Sequence, residues 1–118
     1  MIDNIEKPLA IASVRWVSAA AGGRRSGPPT APVYAATAVF VLGGECEVVP
    51  GWPATADQLS VLLQKTDERS DGTHVDKVDF LVPDLAIPML RTGAEFLVME
   101  GPKVVARAVV EEDLVPRS

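Results

Sequence analysis

Glycine and proline punctuate this chain so densely that only short elements fit between them. Nine Gly and ten Pro in 118 residues fall mostly between apolar runs, where a turn needs a left-handed backbone or a fixed φ. The runs themselves alternate in polarity. From Leu9 to Val17, Ala10, Ala12, Val14 and Trp16 share one face, with Ser13 and Arg15 on the other. That is the period of a strand with one face wet. Residues 21–30 (AGGRRSGPPT) tolerate no regular element and read as a loop. Residues 33–42 (VYAATAVFVL) form a second strand, nearly apolar on both faces, as a buried barrel strand would be. Gly43-Gly44 makes a turn, Glu45 to Val49 reads as a short strand, and Pro50-Gly51 closes it.

Residues 58–65 (QLSVLLQK) fit two templates. Thr55 with Gln58 matches a helical capping box, and Leu59, Leu62 and Leu63 keep helical spacing. Leu59, Val61 and Leu63 also alternate, and an acidic turn over Asp67–Thr73 comes next. A strand is favoured and a helix stays open. His74 to Val82 alternates again, with His74, Asp76, Val78 and Phe80 set against Val75, Lys77, Asp79 and Leu81. Pro83 and Pro88 break residues 83–90 into an irregular segment. Glu95–Met99 and Lys103–Val110 form a final pair joined by Glu100-Gly101-Pro102. Short strands with turn signals between them predict an all-β sandwich or barrel.

A length of 118 residues suits one domain, and a hydrophobic content of 47% suffices for one core. The net charge of −5 sets the chain as a whole against a phosphate backbone, so only a local basic patch would bind RNA. The single cysteine, Cys46, excludes an intramolecular disulfide. The opening MIDNIEK carries acids where a signal peptide carries basic residues. No run approaches the about 18 apolar residues that cross a bilayer, so a cytoplasmic protein with no membrane contact is expected. Leu114-Val115-Pro116-Arg117-Ser118 looks like a thrombin recognition sequence without its glycine. Residues 1–112 therefore read as a single domain and 113–118 as a vector-derived tail.

Catalytic constellations are scarce. One histidine and one cysteine assemble no His/Cys zinc site, and no G-x-S-x-G elbow occurs. His74 alone on a strand reads as a surface residue. Gly22 to Gly27 matches the first six positions of a phosphate loop, but Pro28 and Pro29 stand where the lysine and the hydroxyl belong. The acid pairs Asp67/Glu68 and Glu111/Glu112 read as solvated turn and terminus charges. No enzyme, cofactor or metal is expected.

Three segments, in order, resemble the C-terminal β-barrel domain of translation elongation factor Tu and its relatives. They are SVRWVSAAAGGRRSGPPTAPVYAA (13–36), VDKVDFLVPDLAIPML (75–90) and GAEFLVMEGPKVVARAVV (93–110). The resemblance implies a closed six-stranded antiparallel barrel without the GTPase domain, hence without nucleotide hydrolysis. The family's Gly-Gly-Arg loop falls on Gly22, Gly23 and Arg24, and Lys103 stands where the final hairpin's arginine does. Val105-Ala106-Arg107-Ala108 replaces the family's Val-Gly-Ala-Gly, and Ala31-Pro32-Val33 replaces its Arg-Pro-Gln.

The favoured reading is a non-catalytic, stand-alone translation-factor-like barrel that binds a protein partner. A tRNA-stem binder is an alternative that the acidic charge disfavours. An immunity or antagonist protein mimicking a translation-factor surface is another. Candidate partner-binding residues are Arg24, Arg25, Lys103 and Arg107, with Arg15 beside them as part of one basic patch. Trp52, in its Pro-Gly-Trp-Pro turn, is a candidate interface anchor.

Overall fold

The computed structural model describes residues 4–25, 27–41 and 58–116. Strands β1 (Ala10–Trp16), β2 (Tyr34–Val41), β3 (Leu59–Glu68), β4 (His74–Phe80), β5 (Glu95–Glu100) and β6 (Lys103–Asp113) carry the fold. They close into an antiparallel barrel in the order β1-β4-β3-β2-β5-β6, with β6 pairing back onto β1. The expected closed six-stranded barrel is therefore present. Closure leaves no free edge among the six described strands, the feature that would otherwise invite edge-to-edge association.

Alternation decides which residues line the interior. Ala10, Ala12 and Val14 of β1, Ala38 and Phe40 of β2, and Val61 and Leu63 of β3 point inward. So do Val78 and Phe80 of β4, Phe96 and Val98 of β5, and Ala106, Ala108 and Val110 of β6. Many are alanine because aromatic rings must share the narrow lumen with them. Residues 59–68 form a strand, which settles the helix-or-strand ambiguity. Val61, Leu62 and Leu63 are all buried, so both faces of β3 are covered and its alternation is blurred. β3 also runs to Glu68, past the residues read as the start of a turn, by way of a bulge between Lys65 and Asp67. A second small apolar cluster, Val39, Leu97 and Met99, lies on the outer face of the β2–β5 wall.

The connections separate the barrel into two ends. At one end lie the 17–33 loop, the β3–β4 turn at 69–73 and the β5–β6 turn at Gly101-Pro102. At the other, a short helix α1 (Pro83–Ala86) and the 3-10 turn Ile87–Met89 occupy the irregular segment expected from Pro83 and Pro88. The barrel also extends past residue 112. Asp113 pairs with Ala10, the Leu114 N–H donates to the Leu9 carbonyl at 2.9 Å, and Val115 packs on the core. The expected turn at 43–44 and the short strand at 45–49 lie outside the described residues, as do Cys46 and Trp52.

Candidate functional site: the polar mouth of the barrel

The end that carries the 17–33 loop is the polar one. β1 and β2 stand on opposite sides of the six-strand ring. Even so, Trp16 of β1 meets Tyr34 of β2 edge-on, with ring centroids 5.5 Å apart. That contact closes the lumen across its diameter, and the His74 ring lies 6.3 Å from Trp16 on a third strand. Trp16 thus ends, at the rim, the inward face it shares with Ala10, Ala12 and Val14. His74 does not sit on the surface as expected: it is buried. It continues the inward face of Val78 and Phe80. Burial lowers its pKa by disfavouring the charged form, and Lys65 adds to that effect.

Asp76 lies one inward position further into the lumen. It is 3% exposed, its Oδ1 has no hydrogen-bond partner, and the Trp16 indole N–H is also unpartnered. Burial pushes the Asp76 carboxyl up to about 6, against a smaller opposing pull from Lys65. Lys65 is the directly opposite residue on β3, and Glu68 is opposite His74. Directly opposed residues in an antiparallel pair project to the same face. The four ionisable groups are therefore gathered at one mouth. There the Lys65 ammonium donates to Glu68 Oε1 at 2.6 Å, and His74 Nε2 stands 3.6 Å from the same oxygen.

On the Tyr34 side, the 17–33 loop is folded back against the barrel. Ser18 caps the turn at Ala19–Ala21, and the Gly23 N–H donates to the Ser18 carbonyl at 2.8 Å. Gly23 permits that return, since a Cβ there would stand 1.9 Å from the Val17 carbonyl oxygen. Arg24 then reaches the rim. Its guanidinium lies 5.3 Å from the Tyr34 ring centre, its Nε donates to Glu100 at 2.8 Å, and its Nη1 donates to the Gly27 carbonyl. The Tyr34 hydroxyl donates to the same Glu100 carboxylate. Burial and that bond raise the Tyr34 pKa, while the Tyr34 and Arg24 donors hold Glu100 below the ordinary glutamate range.

The expected single basic patch is split in two. Arg24 gathers with Lys103 around Glu100, Lys103 being the cross-strand partner of that glutamate. Arg15 and Arg107 oppose each other on β1 and β6, and both line a shallow groove of about 370 Å³ on the outer wall, together with Arg69. Carboxylates neutralise this wall pairwise: Arg15 with Asp71 at 3.5 Å, Arg69 with Glu111 at 2.5 Å and Arg107 with Glu95 at 2.6 Å. Arg25 is exposed and makes no ion pair among the described residues. No group of His, Cys, Asp and Glu among the described residues has the geometry of a metal site.

No family model, curated protein or solved structure matches the chain. The likeness to the translation-factor barrel thus rests on the three sequence segments.

Sequence reasoning missed Lys65, Glu68, His74 and Asp76 as a group. The available signal was in β4, where two polar residues continue the inward face of Val78 and Phe80. Which face was inward stayed hidden, because Lys77 and Asp79 make the other face polar too.

Proposed function

We propose that this protein is a non-catalytic, stand-alone barrel of translation-factor-like type that binds a protein partner in the cytoplasm. The observation that carries the reading lies at the end opposite the mouth. Leu81, Val82 and Leu85 are 60%, 53% and 55% exposed within five residues of chain. Large apolar side chains clustered at the surface favour association with another macromolecule's apolar surface. A protein partner is favoured over tRNA because the net charge of −5 opposes a phosphate backbone and Arg15, Arg24 and Arg107 already hold carboxylates.

The test uses a Leu81→Asp/Leu85→Asp variant in affinity capture from the source cells, alongside the unaltered protein. The expected result is a partner retained by the unaltered protein and lost by the variant, with equal far-UV circular dichroism. Equal retention by both rejects this surface. Association with tRNA that weakens steeply as salt rises would replace the protein-partner reading with the RNA one.

A further inference from the structure

We propose that the barrel mouth is a proton-operated latch. In it the Lys65 ammonium holds Glu68 while Asp76 is protonated, and turns inward to Asp76 when that carboxyl ionises. The structure holds the first of these positions. Lys65 Nζ is bonded to Glu68 Oε1, and Asp76 Oδ1 has no partner.

The geometry makes the second position accessible. Lys65 and Asp76 are cross-strand neighbours in the β3–β4 ladder, close enough for a long side chain to bridge them. The Lys65–Glu68 bond is at the surface, where both side chains are about half exposed, and such pairs contribute little. A buried carboxylate with no donor is far more costly to leave unmatched. On ionisation the balance therefore favours the inward bond.

The ionisable groups facing Asp76 are Lys65 and Glu68 from β3 and His74 from its own strand. β1 contributes Ala12 opposite Asp76, with Trp16 above it at the mouth. Tyr34, Arg24 and Glu100 stand on the other side of the Trp16 ring. Burial lowers the His74 pKa, so the His74→Gln variant is needed to separate its titration from that of Asp76. Trp16 is the reporter. Its N–H is buried and unpartnered, and its ring lies beside His74 at the same mouth, so a charge moving inward there alters the field on that proton. Because Trp16 also packs on Tyr34, the latch connects to the loop that Arg24 anchors.

The experiment follows the indole ¹H–¹⁵N resonance between pH 4 and 8 in a Trp52→Phe background, which leaves Trp16 as the only tryptophan. The expected result is a transition with a midpoint near that of Asp76, about 6. It should persist in His74→Gln and vanish in Asp76→Asn. In Lys65→Met it should move up by about one pH unit, because the cation that favours the carboxylate is gone. Lys65→Met leaves Asp76 in place, so it reports on the latch even if Asp76→Asn alters the fold. A transition that survives Asp76→Asn, that disappears in His74→Gln, or that keeps its midpoint in Lys65→Met overturns the proposal. A flat profile in the parent protein does so as well.

Discussion

The two ends of this barrel are stopped by aromatic rings, but with opposite chemistry behind them. At the α1 end, Phe40, Phe80 and Phe96 pack with centroids 5.4 to 6.1 Å apart. They come from three strands and carry no polar atom, so they seal that end by apolar burial alone. At the mouth, Trp16, Tyr34 and His74 seal a similar opening, but each ring has a polar handle. Beneath them sits buried Asp76, whose Oδ1 has no hydrogen-bond partner. The same alternating pattern thus yields a stable plug at one end and a charged, pH-responsive one at the other. Stability is concentrated where the rings are plain, and responsiveness where a polar residue holds a core position.

The sharpest way to break that contrast is Phe96→Ala. Phe96 is fully buried and touches both other phenylalanines, so urea unfolding should show a loss of about 3–5 kcal/mol. A loss below about 1 kcal/mol would mean the plug is not a stabilising centre. Asp76→Asn should act in the opposite direction. The folded-state pKa of Asp76 is raised to about 6 from 3.8. Its favourable contribution is therefore full below pH 3.8 and is lost as pH rises through 6. At pH 7.5 the asparagine variant should be more stable than the parent by about 3 kcal/mol. The gain should disappear by about pH 4, as paired thermal melts would show.

Two smaller effects sharpen the comparison at the rim and on the wall. Arg24→Ala removes the contact with the Tyr34 face and the bond to Glu100, and should lower stability by about 0.5–1 kcal/mol. Amide exchange should quicken in the 17–33 loop while β1–β6 stay protected. On the outer wall, a double-mutant cycle on Arg69 and Glu111 should return little or no coupling, because the pair is solvent-exposed. A larger coupling there would shift attention from the mouth to the groove.

The strands were legible because turn residues delimit them and because inward positions on β1, β2 and β6 are nearly all apolar. The Glu95–Val110 hairpin is a clear case: Gly101-Pro102 marks its turn, and Phe96 and Val98 face Ala108 and Ala106 in the observed register. β3 was harder to read, since its outer face buries Leu62 as its inner face buries Val61 and Leu63. The site was the least legible part. Its residues come from separate strands and a loop, and only barrel closure brings Trp16 to Tyr34. The arginines were identifiable as charges, but Asp71 and Glu100, which pair with Arg15 and Arg24, are set by register far along the chain. Local pattern carries no register across such distances.

Ring closure also has a consequence for how the chain is made. Ser13 of β1 and Val109 of β6, brought together in the closing ladder, are 96 residues apart. On a ribosome β1 emerges long before either of its neighbours, β4 and β6, exists, so for most of synthesis both its sides are open. A nascent chain of this kind can assemble a curved sheet early, but the cylinder completes only when β6 clears the exit tunnel.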